Sequence, residues 1–151
     1  MKRRFLIGVG NETMTDDGVG PRVADALAKA ASELGFDTVV IGHDTLGTLA
    51  YFDDSTERIV FVDCVRMGMC PGACARFSPD EVETRKALEG LTTHEGDLLR
   101  VIELGRRLGC PIPPITIVGI EPELTDPGLD LSPALQARFN EYLAAVLDAM
   151  R

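Results

Sequence analysis

Residues 6–20, LIGVGNETMTDDGVG, decide the fold of this chain. An apolar run leads into Gly8 and Gly10, and two carboxylates, Asp16 and Asp17, then precede a helical pattern. In an open α/β sheet, ligands bind at the carboxyl ends of the strands. The two carboxylates therefore lie where a binding site is expected. They disfavour a phosphate there, because a phosphate site uses backbone amides and a helix N-terminus, and carboxylates repel phosphate.

The rest of the chain alternates between strand and helix patterns. Apolar runs predict strands over residues 3–9, 38–41, 58–63 and 115–120, and an edge strand over 73–77. Helical spacing and start signals predict helices over 18–34 and 95–108, a short helix over 46–53, a helix start at Ser78 and a final helix capped by Ser132. This alternation predicts a three-layer α/β/α sandwich around a mostly parallel, twisted sheet of about five strands.

Length and charge narrow the classes of partner. At 151 residues the chain is expected to form one domain over residues 1–151. A net charge of −9 argues against nucleic acid or an anionic membrane, and permits a basic protein, a basic peptide or a cation. The apolar run after the basic start ends at Gly8, too early for a signal peptide. We therefore expect a cytoplasmic protein that binds neither nucleic acid nor membrane.

The four cysteines are Cys64, Cys70, Cys74 and Cys110. In the cytoplasm they are expected to be reduced, and the spacing of the first three is not that of a zinc site. We expect small buried or half-buried thiols, with a soft-metal or redox role as the alternative. Cys64 is a poor candidate nucleophile, because the adjacent Asp63 raises the pKa of its thiol.

Three candidate groups converge on the carboxyl edge of the predicted sheet. Asp16 and Asp17 follow the first strand, Asp63 ends the third, and His94 precedes a helix. If those strands are neighbours, two carboxylates and an imidazole meet, which suits a divalent metal such as nickel, zinc or iron. Taken singly, each has a structural alternative: a helix cap, a hydrogen bond to loop amides, or a loop histidine with its hydrogen bonds satisfied. Two adjacent aspartates cannot both be the helix cap.

Other catalytic patterns are missing from the sequence. It contains no G-x-S-x-G elbow, no H-E-x-x-H and no Walker lysine. The G-x-G-x-x-G pattern fails because Thr13 occupies the third glycine position. A nucleotide-binding module of Rossmann type remains a rival hypothesis, which the two aspartates oppose.

The sequence resembles the nickel-iron hydrogenase maturation endopeptidases along nearly its whole length. Their opening G-x-G-N-x-x-x-x-D-[DE]-G-x-G matches residues 8–20, and a D-x-x-G-T-like loop matches residues 44–48. A strand ending in Asp63 is followed by a P-G turn, and His94 stands in a T-H-x-G context. The closing patterns G-[IV]-x-P-E and G-L-x-L-S-P match residues 119–123 and 128–133.

This resemblance implies that the protein removes a C-terminal peptide from the nickel-loaded precursor of a NiFe hydrogenase large subunit. Asp17, the second acidic residue of the opening motif, corresponds with Asp63 and His94 to the residues that contact nickel and carry catalysis. Asp16 is then expected to be the helix cap. Asp44 corresponds to the residue tied to substrate selection, with Gly47 and Thr48 in the same loop.

Nickel belongs to the substrate in this family, and an adventitious divalent metal in the isolated protein is compatible with such a site. We expect a monomer whose partner is the large-subunit precursor. The glycines of residues 8–20 are expected to make the turn and to leave room for an incoming peptide. A nickel-dependent chaperone of the large subunit that does not cut it is the alternative.

Overall fold

The centre of the molecule is a sheet with strand order β2-β1-β3-β5-β4. The computed structural model describes residues 2–42, 44–81 and 93–151, with residues 93–97 described by their backbone alone. Neighbours among β1, β2, β3 and β5 pair in parallel, and β4 pairs antiparallel with β5 at the edge. The strands are β1 (Arg3–Val9), β2 (Asp37–Ile41), β3 (Thr56–Cys64), β4 (Cys74–Phe77) and β5 (Ile115–Ile120). The predicted sheet is therefore confirmed, including its edge strand.

Helices cover both faces of this sheet. Within the described residues, the α-helices are α1 (Val19–Leu34), α2 (Thr93–Arg107), α3 (Pro133–Ala137) and α4 (Phe139–Ala149), apart from the short helical stretch at residues 79–81. Two 3₁₀ helices span Thr15–Gly18 and Thr45–Tyr51. Buried side chains of α1, α3 and α4 pack on one face, and those of α2 pack on the other. The three-layer α/β/α sandwich is confirmed. None of the helices described is both long enough and apolar enough to cross a bilayer.

The alternation of side chains along the central strands builds two cores. In β1, Leu6 joins the core beneath α1 and α4, whereas its neighbours Phe5 and Ile7 join the core beneath α2. In β3, Val60 joins the core beneath α1 and α4, and Phe61 joins the core beneath α2. Successive strand residues point to opposite faces, so a continuous apolar run is what a strand covered on both sides requires.

Two of the predicted helix signals are confirmed. Gly35 ends α1 in the left-handed region, with φ of 82°. Residues 79–81 are helical, and Ser78 and Glu81 form a capping box before them. In that box the Glu81 N–H donates to the Ser78 hydroxyl, and the Ser78 N–H donates to a Glu81 carboxylate oxygen, both at 3.3 Å.

The predicted final helix was wrong in two respects. It is interrupted at Arg138, where the backbone N–H donates to the Leu135 carbonyl three residues earlier, a tighter turn than the α-helix makes. Ser132 precedes the helix as predicted, but its side chain makes no capping hydrogen bond. That hydroxyl has another partner, described below.

Glycines let α1 sit directly against the sheet. A Cβ on Gly20 would lie 2.3 Å from the Val62 carbonyl oxygen and 2.4 Å from that of Val9. A Cβ on Gly8 would lie 2.5 Å from the Gly20 carbonyl oxygen, and one on Gly10 would lie 1.9 Å from that of Asp17. These positions are filled by the chain's own backbone. The expectation that the glycines leave room for an incoming peptide was therefore wrong at these three positions.

Gly20→Ala is expected to destabilise the protein, although alanine normally favours a helix. The added methyl group meets two carbonyl oxygens of the strands, and such overpacking costs about 2 kcal/mol or more. We expect the thermal unfolding midpoint to fall by roughly 6 °C, measured by circular dichroism. Gly47→Ala is the control, because a Cβ there has no heavy atom within 4 Å. Equal midpoints for the two variants would contradict this packing argument.

Candidate active site

The parallel strands bring two of the three predicted site residues, Asp17 and Asp63, to the same end of the sheet, where the parallel strands have their carboxyl ends. Asp63 is the penultimate residue of β3, and Asp17 lies in the 3₁₀ helix that follows β1. β1 and β3 are neighbours, with Gly8 paired to Val62 near their ends. The condition set by the sequence, that the first and third strands be adjacent, is therefore met.

Both carboxylates are buried and held by backbone amides. Asp63 is 1% exposed, and its Oδ1 accepts the Cys64 N–H at 2.8 Å. Asp17 is 8% exposed, and its Oδ2 accepts the Asn11 N–H at 3.0 Å. These backbone N–H groups fix both carboxylates at the end of the sheet where a binding site is expected, and carboxylate oxygens are ligands for divalent cations.

The pKa of the Cys64 thiol is raised by its burial and by the carboxylates around it. Burial is the largest cause that raises its pKa, and the charges of Asp63, Asp17 and Asp16 raise it further. The prediction that Cys64 is a poor nucleophile is supported, because a raised pKa leaves less thiolate. Cys64 is buried and Cys74 and Cys110 are half-buried, as predicted, whereas Cys70 is exposed; all four are free thiols.

The third predicted member of the site is His94. It is the second residue of α2, where the structure describes its backbone but not its side chain. Among the residues whose side chains the structure describes, no group of three His, Cys, Asp or Glu is placed to hold a metal ion. The set of Asp17, Asp63 and His94 therefore stays a prediction.

The loop after β2 contains the predicted substrate-binding residues. Asp44 is the N-cap of the second 3₁₀ helix, and its side chain accepts the Leu46 N–H at 3.2 Å. Asp44 and Gly47 are exposed, whereas Thr48 is completely buried. In this conformation the first two are open to a partner, and a contact between Thr48 and a substrate would require the loop to move.

Asp16 has a different role from the one predicted. It is completely buried, and it does not cap α1. Its Oδ2 accepts the N–H groups of Glu123 and Leu124 at 2.8 and 2.9 Å and the hydroxyl of Ser132 at 2.8 Å. Its Oδ1 accepts the Ser132 N–H at 2.8 Å. Four donors to one carboxylate satisfy its charge without a salt bridge, so Asp16 holds the segment after β5 in place.

Backbone hydrogen bonds extend this attachment. The Thr15 N–H donates to the Gly128 carbonyl at 3.0 Å, and the Gly128 N–H donates to the Thr13 carbonyl at 2.9 Å. The Asp16 N–H donates to the Leu124 carbonyl at 3.0 Å. The opening motif and the closing motif, far apart in sequence, therefore form one structure beside the two site carboxylates.

Glu121 is a further buried carboxylate, and the sequence reasoning did not assign it a role. It is 5% exposed, and its Oε1 accepts the N–H groups of Met67 and Met69 at 2.7 and 2.9 Å. It therefore holds the loop that follows Asp63. The only signal in the sequence is the closing G-I-E-P-E pattern, in which a carboxylate directly follows an apolar strand.

Asp16→Asn is expected to lower stability strongly, because an amide presents a donor where the carboxylate accepts. We expect a loss on the order of 3 kcal/mol, seen as a midpoint of thermal unfolding lower by roughly 10 °C. Asp25→Asn, at an exposed position of α1, is the matched control and should leave the midpoint unchanged. If both variants unfold at the wild-type temperature, the four hydrogen bonds do not stabilise the fold.

Comparison with known proteins identifies the family. Residues 21–149 match the model of the HycI hydrogenase maturation protease family. The chain is 27% identical to the Hydrogenase 2 maturation protease of Escherichia coli strain K12, over 99% of this chain and 91% of that protein. It is 26% identical to the hydrogenase expression/formation protein HupD of Rhodobacter capsulatus, over 99% of this chain.

The fold has solved counterparts. The structure of the [NiFe] hydrogenase maturation protease HybD from Thermococcus kodakarensis aligns with a TM-score of 0.78 at 25% identity, over 99% of both chains. Some relatives are longer: the chain spans 72% of the Rhodobacter capsulatus HupD and 59% of that of Rhizobium leguminosarum. With a family match over most of its length and the same fold, the chain belongs to the hydrogenase maturation protease family, a family of hydrolases.

Proposed function

We propose that this protein removes a C-terminal peptide from the nickel-loaded precursor of a NiFe hydrogenase large subunit. The observation that carries the proposal is the pair of buried carboxylates, Asp17 and Asp63, at the ends of adjacent strands in a member of this protease family. Two carboxylates favour a divalent cation, and we propose that this cation is the nickel ion already bound in the precursor.

Nickel enters the proposal as part of the substrate. Asp17, Asp63 and His94 are proposed to contact it while it is still held by ligands of the precursor. Two carboxylates and an imidazole suit such a metal, and three contacts leave positions open for those ligands. Because Asp17 and Asp63 are already fixed by the Asn11 and Cys64 amides, they need little rearrangement to receive the ion.

Two chemical roles for these residues are compatible with this geometry. In the first, nickel polarises the scissile carbonyl or activates a water molecule, and Asp17 or Asp63 serves as the base. In the second, nickel only positions the tail for attack. In both, the loop formed by Asp44, Gly47 and Thr48 is proposed to select the precursor, with the exposed Asp44 as its first point of contact.

We also propose an oligomeric state, a compartment and a class of partner for the protein. The protein is proposed to act as a monomer in the cytoplasm, on a protein partner and not on nucleic acid or membrane. The net charge of −9 supports the exclusion of nucleic acid and anionic membrane, because negative charge repels such partners.

Asp17→Asn, Asp63→Asn and His94→Ala are each expected to slow trimming of a nickel-loaded precursor by roughly 100-fold or more, because each removes a contact to nickel. Intact mass of the precursor, followed over time, measures the loss of the tail. Asp54→Asn is the control, since Asp54 is an exposed carboxylate just before β3, at the opposite edge of the sheet. A precursor without nickel should stay untrimmed by the wild-type protein.

Full activity in all three site variants would contradict the assignment of these residues. A precursor that binds the wild-type protein and keeps its mass would instead favour the nickel-dependent chaperone.

A further inference from the structure

Three large apolar side chains are exposed within five residues of the carboxyl ends of the parallel strands, at the end of the sheet that carries Asp17 and Asp63. A fourth, Leu129, lies farther along the segment after β5 and is 71% exposed. Leu46 is 56% exposed, Met69 is 43% exposed and Leu124 is 46% exposed. Each lies in a segment that follows the carboxyl end of a different parallel strand: β2, β3 and β5 respectively. The strand order places these segments side by side with the one that carries Asp17.

The backbone at all three positions is fixed. The N–H of each residue donates to a carboxylate oxygen, and this hydrogen bond restrains the local backbone. The pairs are Leu46 with Asp44 at 3.2 Å, Met69 with Glu121 at 2.9 Å, and Leu124 with Asp16 at 2.9 Å. Exposed apolar side chains on a restrained backbone are preorganised for binding. Little conformational entropy of the loops is lost when a partner binds there.

We propose that Leu46, Met69 and Leu124 form an apolar docking surface for the tail of the precursor, bound as an extended segment. This inference rests on the proposed function and adds the chemistry of the segment that the protein recognises. From β2 to β5 there are three strand spacings, or about 14 Å, which matches roughly four extended residues. The segment therefore presents apolar side chains over a short stretch next to the nickel.

Charged side chains at the same end of the sheet indicate which residues should flank the apolar part of the bound segment. In the described segments that follow the parallel strands, the exposed charged side chains are mostly acidic. The exception is Arg66, whose guanidinium donates to the Thr125 hydroxyl at 3.0 Å. The acidic residues are Glu12, Asp44, Glu123, Asp126 and Asp130. A segment that carries lysine or arginine beside its apolar residues complements this surface, so its binding should weaken as ionic strength rises.

The test measures the affinity of the nickel-loaded precursor for the wild-type protein and for a triple variant, Leu46→Ser with Met69→Ser and Leu124→Ser. The matched control is Leu34→Ser with Leu108→Ser. Those leucines are 48% and 64% exposed, but they lie at the ends of α1 and α2, away from the site edge. We expect Kd to rise roughly 30-fold in the triple variant, with a smaller rise in each single variant, and to stay within about twofold in the control.

Binding and cleavage are read separately. Equal affinities for the wild-type protein and for the single and triple variants would overturn the inference, as would wild-type protein that does not bind the precursor or whose binding is insensitive to salt. The single variants decide the matter if the triple variant does not fold. If the precursor binds through this surface but its mass does not change, the proposed function fails while the docking surface stands.

Discussion

The buried carboxylate of Asp16 is the interaction on which the site depends. It accepts hydrogen bonds from both ends of the segment between β5 and α3: from the backbone of Glu123 and Leu124, and from Ser132. The segment after β1 is thereby fixed to the segment after β5. Asp17 is the next residue along the chain, so its position relative to the sheet follows from how firmly Asp16 is held.

A second constraint acts from the side of the helix. Gly20 lets the start of α1 touch the ends of β1 and β3, where any larger residue would meet the carbonyl oxygens of Val9 and Val62. The same contact brings the turn that carries Asp17 close to Asp63. The glycines in the opening motif therefore serve the packing of the chain on itself, and the carboxylates between them serve the site. One short stretch encodes both.

The sequence predicted the strands of the described sheet to within two residues at each end, because apolar runs and turn signals are local. It also predicted that Asp17 and Asp63 would lie at the same edge. It did not predict the role of Asp16, because the donors to its carboxylate lie 107, 108 and 116 residues away and three of the four are backbone N–H groups. Backbone donors leave no mark in a sequence. The role of the Ser132 hydroxyl was predicted wrongly because a serine before a proline is typical of a helix cap. Its actual partner, Asp16, is 116 residues away in the sequence.

We propose that Asp17, Asp63 and His94 contact the nickel of the precursor. X-ray absorption at the nickel edge, recorded on the precursor alone and in complex with this protein, measures these contacts. We expect new oxygen or nitrogen ligands at about 2.0–2.2 Å in the complex, and their loss when Asp17 and Asp63 are both replaced by alanine. A nickel environment that stays the same when the wild-type protein binds would contradict it.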